Sequence, residues 1–309
     1  MPQPIRIAIV GLGKIARDQH LPAIAANPAY KLVATASTSG GQAGVPGFAS
    51  IDELVASGIN VDAVSICTPP GPRPAIAITA LSAGMDVFLE KPPAATLSEF
   101  EAIRTAAAAN RRVLLASWHA RFAPFVDEAR RWAAGRTITS GRMSWRESVR
   151  KWHPGQDWLW QPGGNGVFDP GINGLSILTA VSPLPVAVRK AAFDVPDGAQ
   201  TPIAATLTLV AGAAEIAVDL DFRAEGGETW EIELHASDGG RLLLAQGGAA
   251  ISIDGETQRS EPEREYPNLY EHFAQLIARR DSDADASPLM LVADASLIAS
   301  RSTVEAFRW

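Results

Sequence analysis

The stretch Ile5-Arg6-Ile7-Ala8-Ile9-Val10-Gly11-Leu12-Gly13-Lys14-Ile15-Ala16-Arg17 decides the reading of the fold. Ile5 to Val10 is a short apolar run of strand length. Gly11-x-Gly13-x-x-Ala16 follows it directly, and Lys14-Ile15-Ala16-Arg17 reads as the start of a helix. Gly11 permits the tight turn. Gly13 lets the backbone approach a pyrophosphate without a clashing Cβ, and Ala16 lets the helix lie close to the sheet. The unpaired N–H groups at the helix start then face the phosphates.

The same pattern continues outward. Further apolar strands are expected at Lys31–Ser37, Val61–Cys67, Met85–Glu90 and Arg112–Trp118. Helices are expected between them at Asp52–Ala56, 73–83 and Thr96–Asn110, the last opened by the capping-box spacing Thr96-Leu97-Ser98-Glu99. Strands that are apolar throughout and alternate with helices predict a parallel sheet covered on both faces, so residues 1–120 read as a Rossmann-type, doubly wound α/β domain. After a helix over Arg121–Arg136 the period changes to two. Alternation marks Arg142–Val149, Val186–Asp194, Ala204–Val210, Glu215–Phe222, Thr229–His235, Arg241–Ala245 and Ala250–Asp254. With helices near 171–181, 266–279 and 288–307, residues 121–309 read as an α+β domain on a mainly antiparallel open sheet, for substrate binding and oligomerisation. Its last helix is free to return to the first domain. Arg280–Asp285 reads as a solvated acidic loop.

Composition narrows the function classes. The 309 residues are 47% hydrophobic and 20% charged, which excludes a disordered chain, and the one cysteine excludes an intramolecular disulfide. Cys67 lies in an apolar run and reads as a buried, inert thiol in a reducing cytoplasm. Thirty-four acids against 27 bases leave no basic excess for nucleic acid. The N-terminus lacks the pattern of a signal peptide, and no apolar run reaches the ~18 residues of a membrane span. No histidine pair has metal-site spacing, so no metal is expected.

Two further segments carry chemistry. Thr68-Pro69-Pro70 stops the third strand, and Glu90-Lys91-Pro92-Pro93 follows the fourth. Ligands of open α/β sheets bind at the carboxyl ends of the strands, so Lys91 is expected at the ligand edge. Gly-x-Gly-x-x-Ala, Thr-Pro-Pro and Glu-Lys-Pro in this order resemble the Gfo/Idh/MocA family of nicotinamide-dependent sugar and polyol oxidoreductases. The resemblance covers essentially the whole chain. It implies that Lys91 is catalytic, close to nicotinamide and substrate. It also implies a second motif, an acid followed four residues later by histidine. Here that run is Asp169-Pro170-Gly171-Ile172-Asn173, with Asn173 in the histidine's place. An amide cannot carry a proton near neutral pH, so Asn173 only orients substrate, and proton transfer falls to Lys91 and Asp169.

The run from Trp145-Arg146-Glu147 through Trp152-His153-Pro154-Gly155-Gln156 to Asp169 is similar to bacterial members that oxidise aldoses such as L-arabinose and D-galactose at C1. Four of the eight tryptophans lie between residues 145 and 160, among Glu147, Lys151 and His153. Apolar rings beside hydrogen-bonding groups suit a sugar. The expected substrate-binding set is Lys91, His119, Glu147, Trp152, His153, Asp169, Asn173 and Trp230, while Trp145 and Trp158 read as core or dimer-interface residues. His20, His235 and His272 read as packing or surface residues.

The cofactor-binding set is Gly11, Gly13, Lys14, Ile15, Ser37, Thr38, Thr68, Pro69, Glu90 and Lys91. The second strand ends in Ser37-Thr38-Ser39, with no carboxylate before Asp52. Nothing there repels a 2′-phosphate, so NADP is favoured with NAD also used. The expected product is an aldonolactone, and the expected assembly is a homodimer. The alternatives are a polyol or inositol dehydrogenase of the same family and a dinucleotide sensor without turnover.

Overall fold

In the computed structural model, which describes residues 3–309, Ile5–Val10 is strand β1, and Ile7, Ala8, Ile9 and Val10 are buried. Tyr30–Ala36 (β2), Gly47–Phe48 (β3), Ala63–Ile66 (β4), Asp86–Glu90 (β5) and Leu114–Ser117 (β6) join it in a six-stranded parallel sheet of order β3-β2-β1-β4-β5-β6. The order reverses between β1 and β4, the switch point at which such sheets bind ligands. A π-turn at Ala16–His20 leads into α1 (Leu21–Ala26), and α2 (Ile51–Ala56), α3 (Arg73–Ser82) and α4 (Leu97–Ala109) connect the later strands. Thr96 caps α4 as its spacing predicts: its Oγ1 accepts from Glu99 N, while Glu99 returns to Thr96 N at 3.0 Å.

From Ala120 to Arg264 a second unit forms. The expected long helix over Arg121–Arg136 shortens to α5, Val126–Ala133. Strand β7 (Ile138–Arg146) is followed by a one-turn helix α6 (Val149–Trp152) and by α7 (Phe168–Val181). Val186–Pro196 (β8), Ala204–Ala211 (β9), Ala214–Asp221 (β10), Thr229–Ala236 (β11), Arg241–Ala245 (β12), Ala250–Ile253 (β13) and Arg259–Ser260 (β14) complete the run of strands. Helix α7 lies close on the sheet because its contact positions are glycines. A Cβ on Gly174 would stand 2.5 Å from the Trp145 ring, and one on Gly171 2.7 Å from Leu220. Along β10, Ala214, Ile216, Val218 and Leu220 are buried while Glu215 and Ala217 are exposed, which is the predicted alternation.

The chain then returns to the first unit. Glu265–Arg279 is α8, and Glu265–Ala286 as a whole belongs with the residues up to His119. Tyr266, Leu269, Tyr270, Phe273 and Leu276 form its buried stripe at helical spacing. Tyr270 stacks on Phe88, with ring centroids 5.1 Å apart. The segment 280–285 is therefore solvated only in part: Arg280, Asp281 and Ser282 are exposed, while residues 283–285 are half-buried. Arg280 pairs with buried Asp86 at 2.7 Å, and the Asp283 backbone bonds Leu114 and Ala116, covering the edge of β6. The returning helix is thus α8, whereas α9 (Ser287–Ile298) stays with the second unit. The predicted helix over 288–307 also ends early. Ser300–Val304 forms β15, parallel to β8, because an open sheet edge offers that backbone better partners. The second sheet has the order β14-β13-β12-β11-β7-β10-β9-β8-β15 and is antiparallel except at β7–β10 and β8–β15. No helix among the described residues is long and apolar enough to cross a membrane.

Candidate active site

The two glycines of the first turn answer to different demands. Gly11 has φ +91°, and a Cβ there would stand 2.9 Å from Thr68 N and 3.1 Å from Cys67 C. The fold itself requires it. Gly13 has no such need: nothing lies within 4 Å of its Cβ position. The space over the turn is open, and Leu12 N donates to Ser37 Oγ at 3.3 Å. Beside it, Thr68 Oγ1 is buried with no hydrogen-bond partner. An open glycine face, a helix start and an unmet buried hydroxyl fit the pyrophosphate of a dinucleotide. Ile15, Thr38 and Pro69 are exposed around this turn, and exposed Lys14 pairs with Asp18. The Ser37 hydroxyl also meets Ser39 Oγ at 2.9 Å, so the end of β2 presents hydroxyls.

At the end of β5, Glu90 is only 2% exposed and does not face outward. Its Oε1 meets His20 Nε2 at 2.9 Å and accepts from Tyr266 Oη at 2.7 Å, and its Oε2 accepts from Lys91 N at 2.9 Å. Burial opposes the charge, but His20 and, further off, His119 and Arg73 outweigh it and lower the Glu90 pKa to about 2. Arg73, also buried, donates to Glu90 O at 2.5 Å and to Pro92 O, and the Lys91–Pro92 peptide is cis. His20, read from sequence as packing or surface, is wholly buried between Glu90 and Tyr270 Oη. His119 meets Glu265 at 2.5 Å and stacks on Tyr266. Burial works against its charged form, yet Glu265 raises its pKa overall. Cys67 is buried, and that burial pushes its thiol pKa up.

The second unit builds a separate constellation. His153 Nε2 lies 3.7 Å from Glu147 Oε1 and 3.6 Å from Asp169 Oδ2, and both acidic residues are buried. Trp230 Nε1 donates to Glu147 Oε2 at 3.0 Å. Trp152 tilts against Trp230 at 5.8 Å, is 38% exposed, and donates to Glu228 at 3.2 Å. Asp169 and Asn173 stand one helical turn apart on α7, hence on one face. The structure thus brings together Glu147, Trp152, His153, Asp169 and Trp230. Trp145 is buried and Trp158 half-buried. Among the described residues no group of three or more His, Cys, Asp or Glu side chains is placed to hold a metal.

His20, Arg73, Glu265 and Tyr266 were not legible as site residues. Their partners are distant in sequence, 70 residues for His20–Glu90, 146 for His119–Glu265 and 176 for Tyr266–Glu90. No local spacing signals them.

The model of an oxidoreductase family with an NAD-binding Rossmann fold, Gfo/Idh/MocA, matches residues 5–117. A galactose 1-dehydrogenase from Pseudomonas fluorescens is 46% identical over 308 residues, covering 99% of each chain. The crystal structure of a D-galactose-1-dehydrogenase from Rhizobium etli is 46% identical, with a TM-score of 0.95 over 100% of this chain and 99% of that one. A 3-ketoreductase from Actinomadura kijaniata, solved with NADP, shares the fold at 18% identity, with a TM-score of 0.81 over 98% of this chain and 100% of that one. A phosphate turn of this geometry, a lysine set at the end of β5 and likeness along the whole chain lead to one conclusion: the chain belongs to the Gfo/Idh/MocA oxidoreductase family.

Proposed function

We propose that the protein is an NAD(P)-dependent aldose 1-dehydrogenase that oxidises the C1 hemiacetal of D-galactose, L-arabinose or both to the aldonolactone. The observation that carries this reading is His153 held between buried Glu147 and Asp169 beside the open Trp152–Trp230 face. Such a site offers charged acceptors and an imidazole to sugar hydroxyls, and an aromatic wall to the C–H face. Two relatives alike over the full chain, both named for galactose 1-dehydrogenation, support it.

Gly11, Gly13, Lys14, Ile15, Ser37, Thr38, Thr68, Pro69 and Lys91 hold the dinucleotide in this reading, while Glu90, expected in the same set, is buried and acts through Lys91. Bound there, it supplies the hydride acceptor. The sugar loses the C1 hydride and the O1 proton together. Lys91 and Asp169 are the two candidates for taking that proton. His119, Glu147, Trp152, His153, Asn173 and Trp230 read the remaining hydroxyls and ring faces. Hydroxyls in place of a carboxylate at the end of β2 favour NADP, with NAD also used. A second copy on the open face of the nine-stranded sheet completes the expected homodimer, which light scattering would show as twice the chain mass.

An aldose panel with each cofactor, followed by the absorbance of reduced nicotinamide, tests the reading. We expect turnover with D-galactose or L-arabinose, and a lactone that hydrolyses to the acid. Oxidation at another carbon would overturn it in favour of a polyol dehydrogenase, and dinucleotide binding without turnover in favour of a sensor. A preference for NAD above ~100-fold would overturn the cofactor assignment.

A further inference from the structure

We infer that Glu90 and Arg73, backed by His20 and Tyr266, form a buried ionic clamp that positions Lys91 and ties it to the phosphate turn. The inference rests on the catalytic reading of Lys91 above and adds four positioning residues to it. Lys91 N donates to Glu90 Oε2 at 2.9 Å. The carbonyls on either side of Lys91, those of Glu90 and Pro92, both accept from Arg73 Nη1. Pro92 has no N–H with which to extend a sheet ladder, so this stretch of backbone takes its fixity from side chains.

The other Glu90 oxygen is equally committed. Oε1 accepts from Tyr266 Oη at 2.7 Å and meets His20 Nε2 at 2.9 Å. His20 closes the π-turn Ala16–His20, which follows directly from the glycine turn. Its Nδ1 reaches Tyr270 Oη at 2.8 Å, and that hydroxyl meets Ser65 Oγ on β4 at 2.8 Å. One buried carboxylate therefore links the residue after β5 to the helix that begins at the phosphate turn.

A buried charge is costly to keep unless paired, and an apolar side chain would fill the same space at less cost. What the charge gives here is location. Lysine has a long flexible stem, and an error of about 1 Å at a reacting group costs ~10²-fold in rate. Fixing the Lys91 backbone removes the part of that error that arises at the root of the side chain.

The test compares the wild-type chain with Glu90→Gln, Tyr266→Phe and Lys91→Ala. A carboxamide has one acceptor oxygen, so Glu90→Gln cannot accept from Tyr266 Oη and Lys91 N through separate oxygens as the carboxylate does. In the protein without ligand, we expect hydrogen exchange of the Lys91 amide, read by NMR, to quicken by ~10-fold or more in Glu90→Gln. With NADP and D-galactose or L-arabinose we expect kcat to fall ~10–10²-fold while dinucleotide Kd and sugar KM change by less than ~3-fold. Tyr266→Phe removes one hydroxyl, should fold readily, and is expected to lower kcat by ~3–10-fold. Unchanged Lys91 exchange in Glu90→Gln, or kcat within ~3-fold of wild type in the folded variants, would overturn the clamp. Failure of the catalytic reading has a different signature: wild type turns over no aldose, or Lys91→Ala keeps its kcat. The amide exchange still decides the clamp in that case.

Discussion

Replacing Gly11 and Gly13 in turn by alanine separates a glycine the fold needs from one a ligand needs. At Gly11 the backbone sits at φ +91°, which costs an L-residue about 1–2 kcal/mol. The new Cβ also meets the backbone nitrogen of Thr68 at 2.9 Å, and backbone cannot rotate aside. Overpacking of that kind costs a further ~1–3 kcal/mol. For a chain of this size we expect Gly11→Ala to lower Tm by roughly 5–15 °C. At Gly13 the added methyl has no neighbour within 4 Å and no left-handed backbone to strain. Gly13→Ala should keep stability within about 1 kcal/mol of wild type. Its methyl instead enters the open space over the turn, where a pyrophosphate has to approach, and we expect the Kd for NADP and NAD to rise ~10–10²-fold. Calorimetric unfolding and fluorescence titration of both variants measure the two effects. Wild-type dinucleotide affinity in Gly13→Ala, or wild-type stability in Gly11→Ala, would refute the reasoning.

Other perturbations have equally definite outcomes. Trp230→Phe removes the indole N–H from Glu147 Oε2 and leaves most of the ring packing. We expect sugar KM to rise ~3–10-fold with kcat little changed, and an unchanged KM in steady-state assays would count against a sugar-reading role. The His119 pKa lies above its ordinary 6.5, so its contribution to stability is complete below pH 6.5 and fades as pH rises through the raised value. Urea unfolding at pH 6 and pH 9 should show this loss in wild type and not in His119→Gln. For Glu90 the sign is opposite. Its carboxyl is lowered from 4.5 to about 2, so stability present above pH 4.5 is lost as pH falls toward 2. Glu90→Gln, compared at pH 5 and pH 3, should lack that component of the acid sensitivity.

Much of this architecture is legible in the sequence. The parallel strands of the first unit are mainly apolar, and Thr96-x-x-Glu99 announces its helix through two reciprocal hydrogen bonds. The alternation in β9, β10 and β11 likewise follows from one face lying on α7 and its neighbours. What escaped depends on distant partners. Ser300–Val304 has no apolar signature of a strand and becomes one only because β8 leaves an edge beside it. Arg280–Asp285 looks like a solvated acidic run until Asp86 and the β6 edge are seen to claim it. In the site, Glu147, His153 and Asp169 lie close enough in sequence to be read as one group. His20 and Tyr266 lie 70 and 176 residues from Glu90, and only the fold unites them.

The most direct measurement is kcat for aldose oxidation with Lys91→Ala and Asp169→Ala beside wild type, followed as reduced nicotinamide at saturating sugar and cofactor. If these two groups handle the O1 proton, each variant should lose ~10²–10⁴-fold in kcat while still binding dinucleotide. Near-normal kcat in both variants would contradict the proposed chemistry.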